Sequence, residues 1–115
     1  MKDTLIELLE TFGYPVYEQG SLTGEYPDSF FTFWNATTDD HHHYDNNPLG
    51  FVWRFNVNFY SVSPALVNTM LEQARVLLRQ NKFIVGGKGH DLASDVETHT
   101  GRGMDALYLE SNKED

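Results

Sequence analysis

The sequence lacks cysteine and is poor in basic residues. Without cysteine it has no disulfide, thiolate nucleophile or thiolate zinc site, so packing or assembly must provide its stability. Its 8 Lys and Arg residues stand against 17 Asp and Glu residues, which gives a formal net charge of -9. Affinity for nucleic acid depends mainly on basic side chains that neutralise phosphates. We therefore expect no sequence-specific binding to nucleic acid.

The sequence also lacks a long apolar run. Its first residues, MKDTLIELLETF, carry apolar side chains at helical spacing, a pattern typical of neither a signal peptide nor a membrane span. We therefore expect no membrane partner. A length of 115 residues fits one domain, residues 1–115, with a frayed tail at about 111–115.

Aromatic residues, by contrast, are abundant. They make up 14% of the chain, and most of them fall between Tyr14 and Tyr60. Because large rings bury much area per residue, a small sheet built from this segment is expected to have an aromatic-rich core.

Two segments have helical spacing. KDTLIELLETFG begins with Asp3 as a predicted cap and ends at Gly13, which can supply the C-terminal turn. SPALVNTMLEQARVLLRQN begins with Ser63 as a cap and Pro64 at the first helical position. Both segments carry an apolar stripe, so each helix should pack by one side.

Five segments are predicted to be strands: YPVYEQG, FFTFWN, GFVWRFNVNFYS, KFIV and MDALYLE. The third has the strongest signal, because apolar residues occupy every second position from Phe51 to Phe59. Pro15 limits the first strand to an edge or to its own start. The order αβββαββ predicts an α+β domain in which two helices pack on one face of a mainly antiparallel sheet.

Two connections are long for a compact domain, one between the second and third predicted strands and one between the fourth and fifth. Adjacent strands pair most economically as an antiparallel hairpin, so residues 36–50 are expected to form a long hairpin arm that contacts a neighbouring subunit. A mobile loop is the alternative. The candidate interface residues are Asp39, Asp40, His41, His42, His43, Tyr44, Asp45, Arg54 and Arg102.

The three adjacent histidines raise the alternative of a metal site. Imidazole and carboxylate groups bind zinc, nickel or copper, and the candidate ligands are His41, His43 and Asp45. In an extended segment, however, His42 points away from its two neighbours, and a loop tip lacks supporting groups. We therefore expect no cofactor, and we keep a small metal-dependent enzyme or an adaptor for a host protein as alternative functions.

Two further patterns are weak signals for chemistry. GGKGHD has glycines that could approach an anion, but it lacks the spacing and the Lys-Ser/Thr ending of a phosphate loop. His90, Asp91, Ser94, Asp95 and His99 could form a hydrolytic set, but no nucleophile motif accompanies them. We expect a glycine turn and a solvated loop instead.

Three segments together resemble a known family. EYPDSFFTFWNATTDDHHHYDN, WRFNVNFYSVSPALVNTMLEQARVLL and THTGRGMDALYLE are similar to the small tail-terminator and tail-completion, or head-tail joining, proteins of long-tailed bacteriophages and Gram-positive prophages. The resemblance covers nearly the whole chain and lies in layout rather than in a catalytic signature. It implies an α+β subunit without enzyme activity that forms a ring, commonly a hexamer, at the end of the tail tube.

The resemblance also implies partners and a location. The partners are further copies of the chain, the tail-tube protein and a head-completion or connector protein. The location is the virion tail, and the host cytoplasm during assembly. A ring of acidic subunits would have a negative lumen that repels DNA phosphates. The terminator, completion and joining roles are not separated by the sequence.

Overall fold

The computed structural model describes residues 2–19, 26–40, 43–44, 47–48, 50–87, 89–92 and 98–111. The elements are α1 (Lys2–Glu10), β1 (Val16–Glu18), β2 (Ser29–Asp40), β3 (His43–Tyr44), β4 (Asn47–Pro48), β5 (Gly50–Ser61), α2 (Pro64–Gln80), β6 (Ile84–Val85), β7 (His90–Leu92) and β8 (Thr100–Ser111). The predicted α+β class is confirmed. No helix within the described ranges is long and apolar enough to span a membrane.

One sheet forms the centre of the fold, with strand order β1-β2-β5-β8-β6. The pairs β2-β5 and β5-β8 are antiparallel, which confirms the predicted hairpin, and β1 lies parallel to β2 at one edge. Strands β6 and β7 both pair with β8 at the other edge. The small ladder of β3 and β4 is separate from this sheet.

Both helices pack on the same face of the sheet, which we call the inner face. Each long strand presents alternate residues to it, and these are predominantly Phe in β2 and β5. The main buried residues are Leu5, Leu9, Phe31, Phe33, Phe55, Val57, Phe59, Val67, Leu71, Ala74, Leu78, Phe83, Met104 and Ala106. The predicted aromatic-rich core is confirmed.

The ends of the helices follow their predicted signals with one exception. Ser63 caps α2, since its Oγ accepts a hydrogen bond from the Leu66 backbone nitrogen at 3.4 Å, and Pro64 follows at the first helical position. Gly13 has φ +88°, as a turn after α1 requires. The prediction for Asp3 was wrong, because it lies inside the first turn, where a negative charge still favours the helix dipole.

Several strand boundaries also differ from the predicted ones. Strand β2 continues to Asp40, and β8 begins at Thr100 and includes Ser111, which was expected in the frayed tail. Residues 112–115 of that tail lie outside the described part of the chain. His90 begins β7, although it was predicted to lie in a glycine turn. In each place, pairing with a neighbouring strand extends a segment that has no apolar alternation of its own.

The three central strands extend beyond the buried core. Strands β2, β5 and β8 are each 12 residues long, and among the side chains that the structure describes in β5 and β8, full burial ends at Phe55 and Ala106. Residues 36–40, 50–54 and 107–111 continue past that row, and from here on we call them the arm. Of the hairpin predicted over residues 36–50, positions 41, 42, 45, 46 and 49 lie outside the described part of the chain. At about 3.3 Å per residue they project by roughly 15 Å. The molecule is elongated and measures 52 × 26 × 22 Å.

Candidate assembly interface

The face of the sheet opposite the helices, which we call the outer face, carries the largest exposed apolar side chains of the described strands. Ile84, Trp34 and Leu109 are 54%, 48% and 45% exposed. Their strands place them out of phase with the buried Phe33 and Val85, so alternation alone puts them on this face. Ile84 lies opposite Leu107, and Leu109 is the next residue of β8 on the same face, so these residues form one apolar strip, whereas Trp34 lies opposite Asn56 near the other edge. An exposed apolar strip of this kind is typical of a contact with another protein.

One end of the outer face is closed by the chain's own aromatic residues. Phe30 is 3% exposed and stacks on Tyr60 with ring centroids 5.4 Å apart. Tyr26 and His99 pack on the same ring at 5.6 and 5.8 Å. His99 also has its Nε2 2.7 Å from the carbonyl oxygen of Pro27. This end therefore holds a small satellite core, and the open apolar surface lies towards the arm.

The middle of the outer face is polar. Asn56 donates from Nδ2 to Asp105 Oδ1 at 2.8 Å, which joins β5 and β8. Asn58 is 3% exposed and donates weakly to Thr32 Oγ1 at 3.4 Å. Its Oδ1 has no hydrogen-bond partner among the described residues. The row of Thr32 and Asn58 therefore lies between the closed aromatic end and the row of Trp34 and Asn56.

The predicted interface residues lie in different surroundings. Arg54 is exposed on the outer face, at the start of the arm. Arg102 lies in β8 opposite Asp91 of β7. Within its own chain it pairs with the Asp91 carboxylate at 2.7 Å and donates to the Gly89 carbonyl oxygen at 3.3 Å. The backbones of Asp39 and Asp40 belong to β2, and those of His43 and Tyr44 to β3. His41, His42 and Asp45 lie outside the described residues.

The candidate metal and hydrolytic residues are not brought together in the part of the chain that is described. No group of three or more His, Asp or Glu residues there could hold a metal ion. The Asp91 carboxylate is held by Arg102, and the His99 ring lies against a backbone carbonyl. Ser94 and Asp95 lie outside the described residues. The described members of the hydrolytic set therefore do not form a catalytic arrangement.

The glycine segment connects two strands at a tight approach. Val85 of β6 lies opposite Ala106 and His90 of β7 lies opposite Gly103, so the connection between β6 and β7 is two residues longer than the segment of β8 that it spans. Gly89 has φ +86°, and a Cβ there would lie 2.5 Å from the Gly103 carbonyl oxygen. Backbone spacing therefore accounts for Gly89 without any bound anion.

A shallow groove of about 380 Å³ lies between the end of α1 and α2. Phe12, Val76 and Leu77 give it an apolar lining, and Glu72 lies at its border. Glu72 accepts two hydrogen bonds from Arg75, and this contact raises the pKa of the Arg75 guanidinium. The ion pair is thus satisfied within α2 and leaves the groove without a free charge from these two residues.

The sequence contains a signal for the exposed surface that the list of interface residues did not use. Trp34 alternates with Phe31 and Phe33, and Leu109 alternates with Tyr108. Since alternation assigns successive residues to opposite faces, a large apolar residue out of phase with the core predicts either a second core or an exposed contact surface.

Comparison with known proteins gives no family: no family model matches the chain, and no curated protein sequence matches it. Function is therefore inferred from the geometry of the chain and its sequence pattern.

Proposed function

We propose that the chain is a structural protein of the bacteriophage tail. In this proposal it acts as a terminator or completion factor, forming a ring, commonly of six copies, at the end of the tail tube. Its partners are its own copies, the tail-tube protein and a head-completion or connector protein. It acts without catalysis or cofactor, in the virion tail and in the host cytoplasm during assembly.

The observation that carries the proposal is the arm. A sheet that serves only its own fold has no need of three paired strands that continue about 15 Å past the buried core, since each added residue costs conformational entropy. Phe51, Trp53 and Tyr108 of this region are only half-buried. Such a projection is what a subunit needs to reach the next copy in a ring.

The outer face supports the same proposal. Ile84 and Leu109 lie at the level of the arm, and Trp34 lies just before its start, opposite Asn56. The other end of this face is closed by the cluster around Phe30. Burial of a large apolar side chain contributes about 1.5–3 kcal/mol, so contact at Trp34, Ile84 and Leu109 would stabilise an assembly substantially. An exposed apolar surface next to a projecting sheet supports a structural role.

The charge of the chain fits a ring through which DNA passes. Each copy carries a formal charge of -9, so six copies would give the ring a strongly negative field. A negative lumen repels phosphates and lets a genome move without adhering. The same charge opposes close packing of copies, and salt should therefore strengthen assembly by screening that repulsion.

Light scattering and electron microscopy of the purified protein test the ring. We expect a discrete closed oligomer, either of the protein alone or after addition of tail-tube subunits. A monomer under both conditions, at concentrations up to those used for microscopy, would contradict the proposal. Raising the salt concentration provides an internal check, since screening should shift the protein towards the oligomer.

Particles assembled without the protein separate the possible tail roles. Overlong tails would indicate that the protein terminates the tube, whereas finished tails beside unjoined heads would indicate a joining role. Normal, infectious particles in its absence would contradict any essential role in the tail.

A further inference from the structure

Most of each outer edge of the arm, residues 37–40 of β2 and 108–111 of β8, lacks a neighbouring strand among the described residues. Strand β1 pairs with β2 only at residues 31–33, and β6 pairs with β8 only at residues 106–107. Residues 37–40 of β2 and 108–111 of β8 are therefore paired only on the side of β5. An unpaired edge presents backbone N–H and C=O groups that can pair with another chain.

The hydrogen bonds between β1 and β2 show which residues of β2 direct their backbone N–H and C=O groups away from β5. The Phe31 nitrogen donates to the Pro15 carbonyl oxygen at 2.9 Å, and the Phe33 carbonyl oxygen accepts from the Gln19 nitrogen at 2.7 Å. In this part of β2, the backbone N–H and C=O groups of odd-numbered residues therefore point outward, away from β5, because the direction of these groups alternates along a strand.

A bulge inverts this alternation at the start of the arm. The register shifts between Asn35 and Thr37, which adds one unpaired residue to β2. Beyond the bulge, the backbone N–H and C=O groups of even-numbered residues point outward. The backbone groups of Thr38 and Asp40 therefore form the free edge of β2.

The free edge of β8 follows from the same register. Val52 of β5 lies opposite Asp39 on one side and opposite Leu109 on the other. The backbone N–H and C=O groups of Asp39 and Val52 point towards each other, so those of Val52 point away from β8. The backbone groups of its partner Leu109 therefore point outward, away from β5. The backbone groups of Ser111, two residues further along β8, point the same way. Leu109 and Ser111 therefore form the free edge of β8.

The two free edges fit each other in direction. Strands β2 and β8 are both antiparallel to β5, so they run parallel to each other at the same end of the molecule. A second copy, rotated about an axis along the strands, can place its β8 edge beside β2 of the first. Each copy has one edge of each kind, so the contact is heterologous and can close into a ring.

We propose that neighbouring copies join by parallel pairing of β2 in one arm with β8 in the next, so that a single sheet continues around the ring. This inference rests on the proposed ring-forming function and names the contact that builds it. In a parallel pair, a residue bonds to the two residues that flank its partner. If Thr38 bonds to Leu109 and Ser111 of the next copy, its partner in the register is Glu110.

A cysteine pair tests the contact. The protein has no cysteine of its own, so any thiol cross-link reports only on introduced residues. A chain carrying Thr38→Cys and Glu110→Cys, assembled and then bridged with a short bis-maleimide, should give a ladder of covalent oligomers that ends in a closed ring. Each single variant should give no ladder, because a heterologous contact joins two different edges.

The control pair is Glu7→Cys with Thr69→Cys, at exposed positions on the two helices, and it should give no ladder. Cross-linked dimers from a single variant would show an isologous contact and overturn the inference. An oligomer seen by light scattering without cross-links in the double variant would overturn the edge pairing while leaving the ring intact. A monomeric wild-type protein would overturn both.

A proline provides the second test. Thr38→Pro removes one outward N–H and suits an edge strand, so the fold should survive while the concentration for half-assembly rises at least about ten-fold. Thr38→Ala keeps the N–H and should assemble within about two-fold of the wild type. Equal assembly of both variants would overturn the inference. Hydrogen exchange of the wild type checks it without mutation, since the Thr38 and Asp40 amides should become protected only in the oligomer.

Discussion

The inner and outer faces of the sheet are built from alternate residues of the same strands, yet they differ sharply in burial. Phe33 and Val57 are fully buried beneath the helices, whereas Trp34, their immediate neighbour on the other face, is 48% exposed. Both helices pack on the inner face, so it provides most of the apolar burial that stabilises the fold. The outer face and the arm contribute less to stability and are available to other copies.

The largest test of this comparison is a cavity on the inner face. Phe59 is fully buried, and its ring centroid lies 4.7 Å from that of Phe31 and 5.5 Å from that of Tyr14. We expect Phe59→Ala to lower the free energy of unfolding by about 3–5 kcal/mol, because the rigid core cannot fill the space. Urea denaturation followed by circular dichroism measures this loss.

The matched outer variant is Trp34→Ala, which should lower the free energy of unfolding by less than about 1 kcal/mol because its ring is already half in water. Its effect should appear instead in self-association, measured by light scattering. Equal losses of stability from the two variants would show that the outer face is part of the core, and would remove the distinction between the faces.

Sequence pattern predicted the elements that carry their own apolar periodicity. β5 was predicted with its observed bounds, and α2 was predicted from its stripe, its Ser63 cap and Pro64. These succeeded because alternation and capping are local signals that the packed fold also requires. The inner face could thus be predicted almost residue by residue.

The arm could be predicted only in part. Residues 36–40 are polar or small and gave no strand signal, yet residues 37–40 pair with β5, because a strong partner strand imposes extension on a neutral segment. The start of β8 contains Gly101 and Gly103 and was missed for the same reason. Which edges stay unpaired depends on pairing across the whole sheet, so no local pattern in the sequence could have identified the free edges.

The next largest loss of stability is expected at Gly89, just before β7, where the backbone passes close to β8. Ala at Gly89 would place its Cβ 2.5 Å from the Gly103 carbonyl oxygen and 3.1 Å from Leu71, in a backbone conformation with φ +86°. We expect Gly89→Ala to destabilise the protein by about 2–3 kcal/mol through strain and displacement of β7. Thermal and urea unfolding measure the change.

Gly87→Ala is the control, because it measures the cost of the backbone conformation without a steric clash. It has φ +68°, but nothing lies within 4 Å of a Cβ there, so a loss of only about 1 kcal/mol is expected. A Gly89→Ala variant no less stable than Gly87→Ala would show that the close approach to β8 is not a constraint.

Two consecutive residues of β6 compare the faces at a smaller scale. Val85 is 6% exposed on the inner face, and Ile84 is 54% exposed on the outer face. Val85→Thr buries a hydroxyl and should cost about 1–2 kcal/mol, whereas Ile84→Thr keeps a branched strand residue and should change stability by less than about 0.5 kcal/mol. Urea midpoints of the two variants measure the difference. An equal cost at both positions would contradict the assigned direction of this strand.

The smallest effect separates stability from assembly. Lys82 follows α2 with φ +73°, and the Phe83 nitrogen donates to the Leu78 carbonyl oxygen at 3.0 Å, which is the helix ending that usually takes glycine. We expect Lys82→Gly to raise the free energy of unfolding by about 0.5–1 kcal/mol, seen as a higher melting temperature. Lys82→Ala removes the same charge but keeps the strained conformation, so it should not stabilise. Because the change is confined to the end of α2, self-association of the Gly variant should match that of the Ala variant. A difference in association between them would mean that the helix-covered side of the molecule also takes part in assembly.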